Sequence, residues 1–390
     1  MKVVQTSKAY AAVVGGIETT ITNLCEGLSR RQGTTVEALV CNHVRSMGVQ
    51  KEILHGVPVH YAPSWGFVAS LPISPQYFHM LAQMTGDILH IHEPFPLASL
   101  SVLLWKKIRR NFSRIVVSWH SDIIRQQWVL APYRPLIHRF LRMVDSVVVS
   151  SPDLIESSEF LPMCRDRCEV IPLGVKLDWV NHSESRRPRV EEIRKTYGSP
   201  LLLFVGRLVY YKGLEYLIDA LERVPKAKLV IIGAGPLRSV LDHQIASKGL
   251  EQRVSILPPI PVMLDPVQAN ELYAFYEACD ILVLPSTEKS ETYGLVQIEA
   301  MAAGKPVIST NLATGVTFVN IHGVTGLTVP PRDSGELSKA IETLTNDAGL
   351  GQSLGSHGRD RALREFSSEI MVDKMASLYE RLLKKERVRV

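Results

Sequence analysis

Two glutamates, Glu291 and Glu299, stand eight positions apart in the run S-T-E-K-S-E-T-Y-G-L-V-Q-I-E-A-M-A-A-G, residues 286–304. An apolar stretch at 281–284 precedes them, and Gly294 between them opens a helical pattern. A buried strand therefore ends, a polar loop carries one acid, and a helix follows with a second acid one turn in. Free amides at a helix start take phosphate oxygens, and carboxylates accept hydrogen bonds from sugar hydroxyls. The combination suits a polyhydroxylated, anionic ligand. Arg207 and Lys212 lie five apart across a turn that follows the apolar run ending at Gly206. An arginine fork and a lysine point charge can reach one diphosphate; the alternative is two solvated loop cations. Gly15 and Gly16 allow close backbone approach to a ligand because no Cβ intervenes, although a glycine pair alone is often only a turn. His120 closes an apolar run and is followed by Ser121 and Asp122. A lone histidine there is more often structural than catalytic. His90 and His92 flank another strand end and read as structural, with Glu93 beside them a candidate base.

The elements that must position these residues alternate between strand and helix. Residues 2–5, 36–40, 57–61, 87–90, 115–119 and 146–150 read as strands, and apolar spacing at Ile17, Ile21, Leu24 and Leu28 makes the segment after the glycine pair a helix. A polar, charged stretch at 181–200 is a linker or a first exposed helix. A second set of strands follows at 201–205, 228–233, 254–257, 281–284 and 307–310, and then helical segments at 334–344 and 367–385. Strand and helix in alternation argue for parallel, doubly wound sheets, and 390 residues are long for one core. Two α/β domains are expected, residues 1–180 and 181–390, with the C-terminal helix crossing back to the first.

Charge is uneven along the chain. The net charge is +5, and residues 94–144 hold nine Lys and Arg against one acid, Asp122. Trp105, Trp119, Trp128, Tyr133 and Phe140 interleave with them. Basic residues with interfacial aromatics suit an anionic membrane surface; a solvated helix face is the plainer alternative, and no nucleic-acid motif accompanies the charge. No apolar run reaches the roughly 18–20 residues of a membrane span, and the first residues do not form a signal peptide, so a cytoplasmic protein is expected. Cys25, Cys41, Cys164, Cys168 and Cys279 are scattered and read as reduced and structural.

Six segments in order carry a resemblance that covers nearly the whole chain. They are V-G-G-I-E at 14–18, H-I-H-E-P-F-P at 90–96, S-W-H-S-D at 118–122, V-I-P-L-G-V at 170–175, F-V-G-R-L-V-Y-Y-K-G-L at 204–214, and the E-x7-E of Glu291 and Glu299. Together they resemble the GT-B glycosyltransferases, and among them the large retaining family 4. The resemblance implies two Rossmann-like domains around an interdomain cleft, an acceptor-binding N-terminal domain and a nucleotide-sugar-binding C-terminal one. It implies that Arg207 and Lys212 hold the donor diphosphate. Glu299 would accept from the ribose hydroxyls and Glu291 from the sugar 3- and 4-hydroxyls. Thr292, Tyr293, Gly294 and Leu295 would offer backbone amides, Gly15 and Gly16 would approach the donor, and His120 would face the sugar 6-position. Asp122 would help to place the acceptor. The catalytic set is therefore His120, Glu291, Arg207 and Lys212.

No D-x-D pair occurs in the sequence, which fits the family's metal-independent design with no cofactor and the nucleotide-sugar as substrate. The block at 291–310 with T-G-V-T-F-V-N-I-H-G-V-T-G-L after it resembles bacterial mannosyltransferases of surface-polysaccharide assembly. A GDP-mannose donor and a lipid-linked or oligosaccharide acceptor at the inner face of the membrane are expected. The alternatives are a UDP-sugar donor (glucose, galactose or N-acetylglucosamine), a phosphorylase or epimerase of this fold, and an inactive scaffold. The sequence departs from the family at P-P-I-P-V-M-L-D-P, residues 258–266. That stiff prolyl loop lies where the family contacts the base.

Overall fold

The computed structural model describes residues 1–10, 15–68, 71–122, 127–260 and 266–385. The chain forms two compact units, residues 1–174 with 368–390, and residues 175–367. The crossing into the second unit comes at residue 175 rather than 181, because Val175 already pairs with Ser367 and Trp179 packs inside the second unit on Tyr273. The crossing back comes at Ser368, so that the last helix, Ser368–Lys384, belongs to the first unit.

Among the described residues the first unit carries an eight-stranded sheet. Its order is Cys168–Val170, Ser146–Val149, Phe112–Trp119, Gly86–Glu93, Lys2–Ser7, Thr35–Cys41, Val57–Ala62 and Gln50–Leu54. All neighbours are parallel except the last pair. The inner strands are buried along nearly their whole length, as strands covered by helices on both faces must be. Chain order runs outward from Lys2–Ser7 in one direction and then restarts at Gly86–Glu93 in the other. The point where the order reverses is where open α/β sheets bind ligands, outside the carboxyl ends of the strands. The core on one face gathers Phe95, Phe112, Phe140 and Phe160 with Val117 and Ile91. The helix Gly16–Ser29 lies against the returning C-terminal helix so closely that a Cβ on Gly27 would meet Val372 at 2.4 Å.

The second unit repeats the design with six parallel strands among the described residues. Their order is Val254–Leu257, Lys228–Ile232, Leu201–Val205, Ile281–Leu284, Val307–Thr310 and Gly326–Val329. The reversal falls between Leu201–Val205 and Ile281–Leu284, which pair directly. Two strands, Cys168–Val170 and Gly326–Val329, and the edge strand Gln50–Leu54 escaped the sequence reading, as did the helix Ala348–Glu365. The charged stretch after residue 181 is a helix, Ser183–Tyr197, held by Arg186 to Glu277 at 2.5 Å.

The basic segment is corrected in one respect. Trp119, Tyr133 and Phe140 are core residues, and only Trp105 among the described aromatics there reaches the surface. Their spacing served the sheet rather than an interface. All five cysteines are unpaired. Among the described residues no helix is long and apolar enough to cross a membrane.

Candidate active site

The second unit brings most of the expected residues to its reversal point. Arg207 and Lys212 follow the strand Leu201–Val205, and Ser286 and Glu291 follow its neighbour Ile281–Leu284. Parallel pairing puts both loops at the same sheet edge. They are stitched together: the Thr287 amide donates to the Tyr211 carbonyl at 2.8 Å. Gly213 ends the first loop at φ +63°, and a Cβ there would lie 2.2 Å from the Pro285 carbonyl oxygen. Only glycine meets both conditions without pushing the loops apart.

Between those loops Lys212 Nζ lies 2.5 Å from Glu291 Oε2, and Ser286 Oγ donates to the same oxygen at 2.8 Å. The pair is almost sealed, with 11% and 9% of the two side chains exposed. A buried ion pair of this kind survives only with added hydrogen bonds on the carboxylate, which Ser286 supplies. The sequence reading gave Lys212 and Glu291 separate duties and missed both their contact and Ser286. Arg207 is exposed and touches the Tyr211 hydroxyl at 3.0 Å. The Glu291 loop is held from behind, where Thr314 Oγ1 donates to the Glu291 carbonyl at 2.9 Å and the Gly315 amide to the Thr292 carbonyl at 2.9 Å.

Gly294, at φ +72°, precedes the helix Leu295–Ala302. The Gln297 amide donates to the Gly294 carbonyl at 3.0 Å, and the amides of Leu295 and Val296 stand before the first carbonyl of the helix. Tyr293 differs from its neighbours: its ring is buried against Gly315, Phe318 and Phe366, so that its side chain packs. Glu299 sits half-buried on the same helix and accepts from the Tyr276 hydroxyl at 2.5 Å. Burial pushes its carboxyl up to about 7, against the lowering effect of that hydroxyl. Residues 258–260 of the prolyl loop are described, and 261–265 lie outside the described residues.

Gly15, Gly16 and His120 belong to the first unit. Gly15 is extended and its carbonyl accepts from the Thr19 amide at 2.9 Å, starting the helix Gly16–Ser29; a Cβ on it would meet Glu18 Oε2 at 2.3 Å. Val14, before the pair, is outside the described residues. His120 follows the strand Phe112–Trp119, and its amide donates to the Glu93 carbonyl at 3.1 Å. It shares a small cavity with Thr20, Leu24, His92, Met371 and Met375. Its Nε2 lies 3.0 Å from His92 Nδ1, and the two rings stack at 12°. Burial lowers His120 to about 4 and His90 to about 3, so that both rings are neutral at pH 7. Asp122 is fully engaged by Trp119 Nε1, Ser158 Oγ and the Glu159 amide at 2.7–2.8 Å, which makes it a brace for the segment after His120. Glu93 is buried and pushed up to about 7 by desolvation.

The second unit thus holds a cation–carboxylate cluster at its Rossmann-type reversal point, and the first holds a neutral histidine group at the carboxyl ends of its own strands. Comparison with known proteins names such a chain. Residues 14–179 match the model of Glycosyltransferase Family 4, and residues 186–361 that of Glycosyl transferases group 1. O-antigen chain mannosyltransferase C of Escherichia coli is 32% identical over 386 residues, 98% of this chain and 99% of that protein. D-rhamnosyltransferase WbpZ of Pseudomonas aeruginosa is 33% identical over 379 residues, 94% of this chain and 93% of its own. The solved structure of Anabaena HepE in complex with UDP superposes with a TM-score of 0.77 at 20% identity, covering 98% of this chain and 100% of that one. The chain adopts the GT-B fold of two Rossmann-like α/β units and belongs to the group 1, family 4 glycosyltransferases.

Proposed function

We propose that the protein transfers mannose from GDP-mannose, with retention of configuration and without a metal ion, to a lipid-linked glycan in the assembly of a bacterial surface polysaccharide. The reading is supported by two relatives that match nearly end to end, a mannosyltransferase and a rhamnosyltransferase. The observation that carries the chemistry is the Lys212–Glu291–Ser286 cluster beside Arg207. Arg207 and Lys212 meet the negative charge that grows on the leaving diphosphate, and the amides at the start of the helix Leu295–Ala302 add to them. Glu291 accepts from hydroxyls of the sugar ring and Glu299 from those of the ribose. The first unit contributes His120 and the glycine pair Gly15–Gly16. The acceptor hydroxyl oxygen attacks the anomeric carbon from the face the diphosphate leaves. The bond between that carbon and the diphosphate oxygen breaks, the hydroxyl proton passes to a donor phosphate oxygen, and the products are an α-mannoside and GDP.

Arg207→Ala is the cleaner test of this site, since Arg207 is exposed while Lys212 also neutralises a buried carboxylate. The variant keeps its melting temperature and loses about a hundredfold in kcat for mannose transfer from GDP-mannose. Wild-type kcat in the variant removes Arg207 from the site.

Membrane contact at the inner leaflet is part of the same proposal, on a different surface from the basic aromatic segment. Met47, Val49, Ile53, Trp65, Phe67 and Val68 are all exposed. Their two segments are joined by the Ser46 amide donating to the Ser64 carbonyl at 2.8 Å. Arg45 and Lys51 flank them. Exposed apolar groups with cations suit an anionic lipid surface. The protein is expected to sediment with phosphatidylglycerol vesicles and to lose that binding in Trp65→Ser/Phe67→Ser; unchanged binding in the variant sinks the assignment.

A further inference from the structure

A buried chain of polar groups runs from Ser118 to His120 through the first unit's reversal point. Ser118 Oγ lies 2.8 Å from His90 Nε2, and His90 Nδ1 lies 2.5 Å from the Tyr379 hydroxyl. Gln5 Nε2 donates to that hydroxyl at 3.1 Å, and Gln5 Oε1 lies 2.8 Å from His92 Nε2. His92 Nδ1 then meets His120 Nε2 at 3.0 Å. Gln5, Tyr379 and His90 are wholly buried, and His92 and His120 almost so. Gln5 sits on the first strand in register with His90, and Tyr379 arrives on the returning C-terminal helix.

We propose that Gln5, with Tyr379 behind it, fixes the tautomer of His120, so that His120 turns a bare Nδ1 lone pair toward its ligand and acts there as a hydrogen-bond acceptor. An amide is the one group in the chain with distinguishable ends, an acceptor oxygen and a donor nitrogen. Gln5 Oε1 can only accept, so His92 Nε2 carries the proton. His92 is neutral, because burial disfavours the charged ring, so its Nδ1 is bare and accepts from His120 Nε2–H. His120, also neutral, is left with no proton on Nδ1, and among the described residues no protein group bonds that atom. In the other direction Tyr379 accepts from Gln5 and spends its own proton on His90 Nδ1, which leaves His90 Nε2–H to donate to Ser118. Every proton in the chain follows from the direction of one amide, as the partner of one ring nitrogen sets the state of the other. Gln5 and Tyr379 are positioning residues; neither touches substrate. A bare Nδ1 favours a sugar that carries a hydroxyl at the position it faces over one that lacks it there.

The inference rests on His120 serving the reaction proposed above, but its test does not depend on activity. Histidine-selective 15N labelling and long-range 1H–15N spectra of the full chain distinguish the two neutral tautomers, with the His120 signals assigned by their loss in His120→Asn. The wild-type protein is expected to show His120 as the Nε2–H form, and Gln5→Leu to show a mixture or the Nδ1–H form. In Gln5→Leu the affinity for GDP stays within about twofold, because Gln5 is remote from the second unit's cluster in sequence and unit. Its kcat falls about tenfold or more, as expected when a preorganised hydrogen bond to the reacting sugar is lost. An Nδ1–H tautomer in the wild type overturns the proposal whatever the variant does, as does a folded Gln5→Leu with an unchanged His120 spectrum. Failure to transfer mannose alongside the expected spectra overturns the donor reading and leaves the tautomer assignment standing.

Discussion

Glu299 illustrates how a residue's neighbours decide its chemistry. Its carboxyl is pushed up to about 7 by burial, so that it is divided between two protonation states at neutral pH. Only the ionised form offers all its lone pairs to ribose hydroxyls. As pH rises through about 7 the proton leaves and nucleotide binding strengthens; as pH falls, a proton must be removed before binding. GDP affinity is expected to weaken by about tenfold from pH 8 to pH 6 in the wild type. Most of that dependence should vanish in Glu299→Gln, where only the phosphate's own titration remains. Equal slopes in the two proteins exclude Glu299 from the nucleotide site. The histidines do not confuse the measurement, since His90 and His120 titrate far lower. At this scale the sequence picked out residues that the fold places at one sheet edge but did not express what they touch. The types and spacing of Arg207, Lys212, Glu291 and Glu299 pointed to the cluster. That Lys212 pairs with Glu291, 79 positions further along the chain (291 − 212), is set by sheet pairing, which spacing along the chain does not express.

Elements place those residues through close approaches that glycine permits. Gly213 is the sharpest case, combining φ +63° with a backbone oxygen 2.2 Å from where a Cβ would sit. Gly213→Ala is expected to cost about 2 kcal/mol or more in chemical denaturation, from the left-handed conformation plus the displaced loop. Donor affinity should fall with it, because the Arg207–Lys212 loop shifts from Glu291. A variant of wild-type stability and affinity contradicts the stitched-loop account. Glycine also explains a missed element. The helix Ala348–Glu365 contains Gly349, Gly351, Gly355 and Gly358, which read as breakers. In the fold a Cβ on Gly355 would lie 2.1 Å from the Gly304 carbonyl oxygen, and one on Gly358 would lie 3.2 Å from Met301. Those glycines let the helix lie against Leu295–Ala302 and so support the helix that carries Glu299. The edge strand Gln50–Leu54 was missed for a different reason: it is exposed along almost its whole length and lacks the alternation that marks a half-buried strand. Most buried strands, being apolar runs, were legible to within two residues at either end, but two central strands of the first sheet were read short, 87–90 for Gly86–Glu93 and 115–119 for Phe112–Trp119, because His92, Glu93, Ser113 and Arg114 interrupt the apolar pattern.

The chain repeats one architecture twice, and each copy gathers residues of the proposed site where strand order reverses. In the second unit that point holds the cation–carboxylate cluster proposed to take a nucleoside diphosphate. In the first it holds a neutral, buried histidine relay completed by Tyr379 from the far end of the chain. The C-terminal helix is therefore more than a brace, since without it the relay loses its middle hydroxyl. The family and fold were legible because six motifs kept their order along the sequence. The donor was not, because the prolyl loop at 258–266, where the family contacts the base, departs from the family's pattern. Calorimetric titration of the purified protein with GDP-mannose, GDP, UDP-glucose and UDP-N-acetylglucosamine in the presence of EDTA reads out the proposed metal-independent GDP-mannose site. Saturable binding of GDP-mannose and GDP is expected, with the UDP compounds at least tenfold weaker. Preference for a UDP-sugar, or binding that appears only when a divalent ion replaces the EDTA, contradicts it.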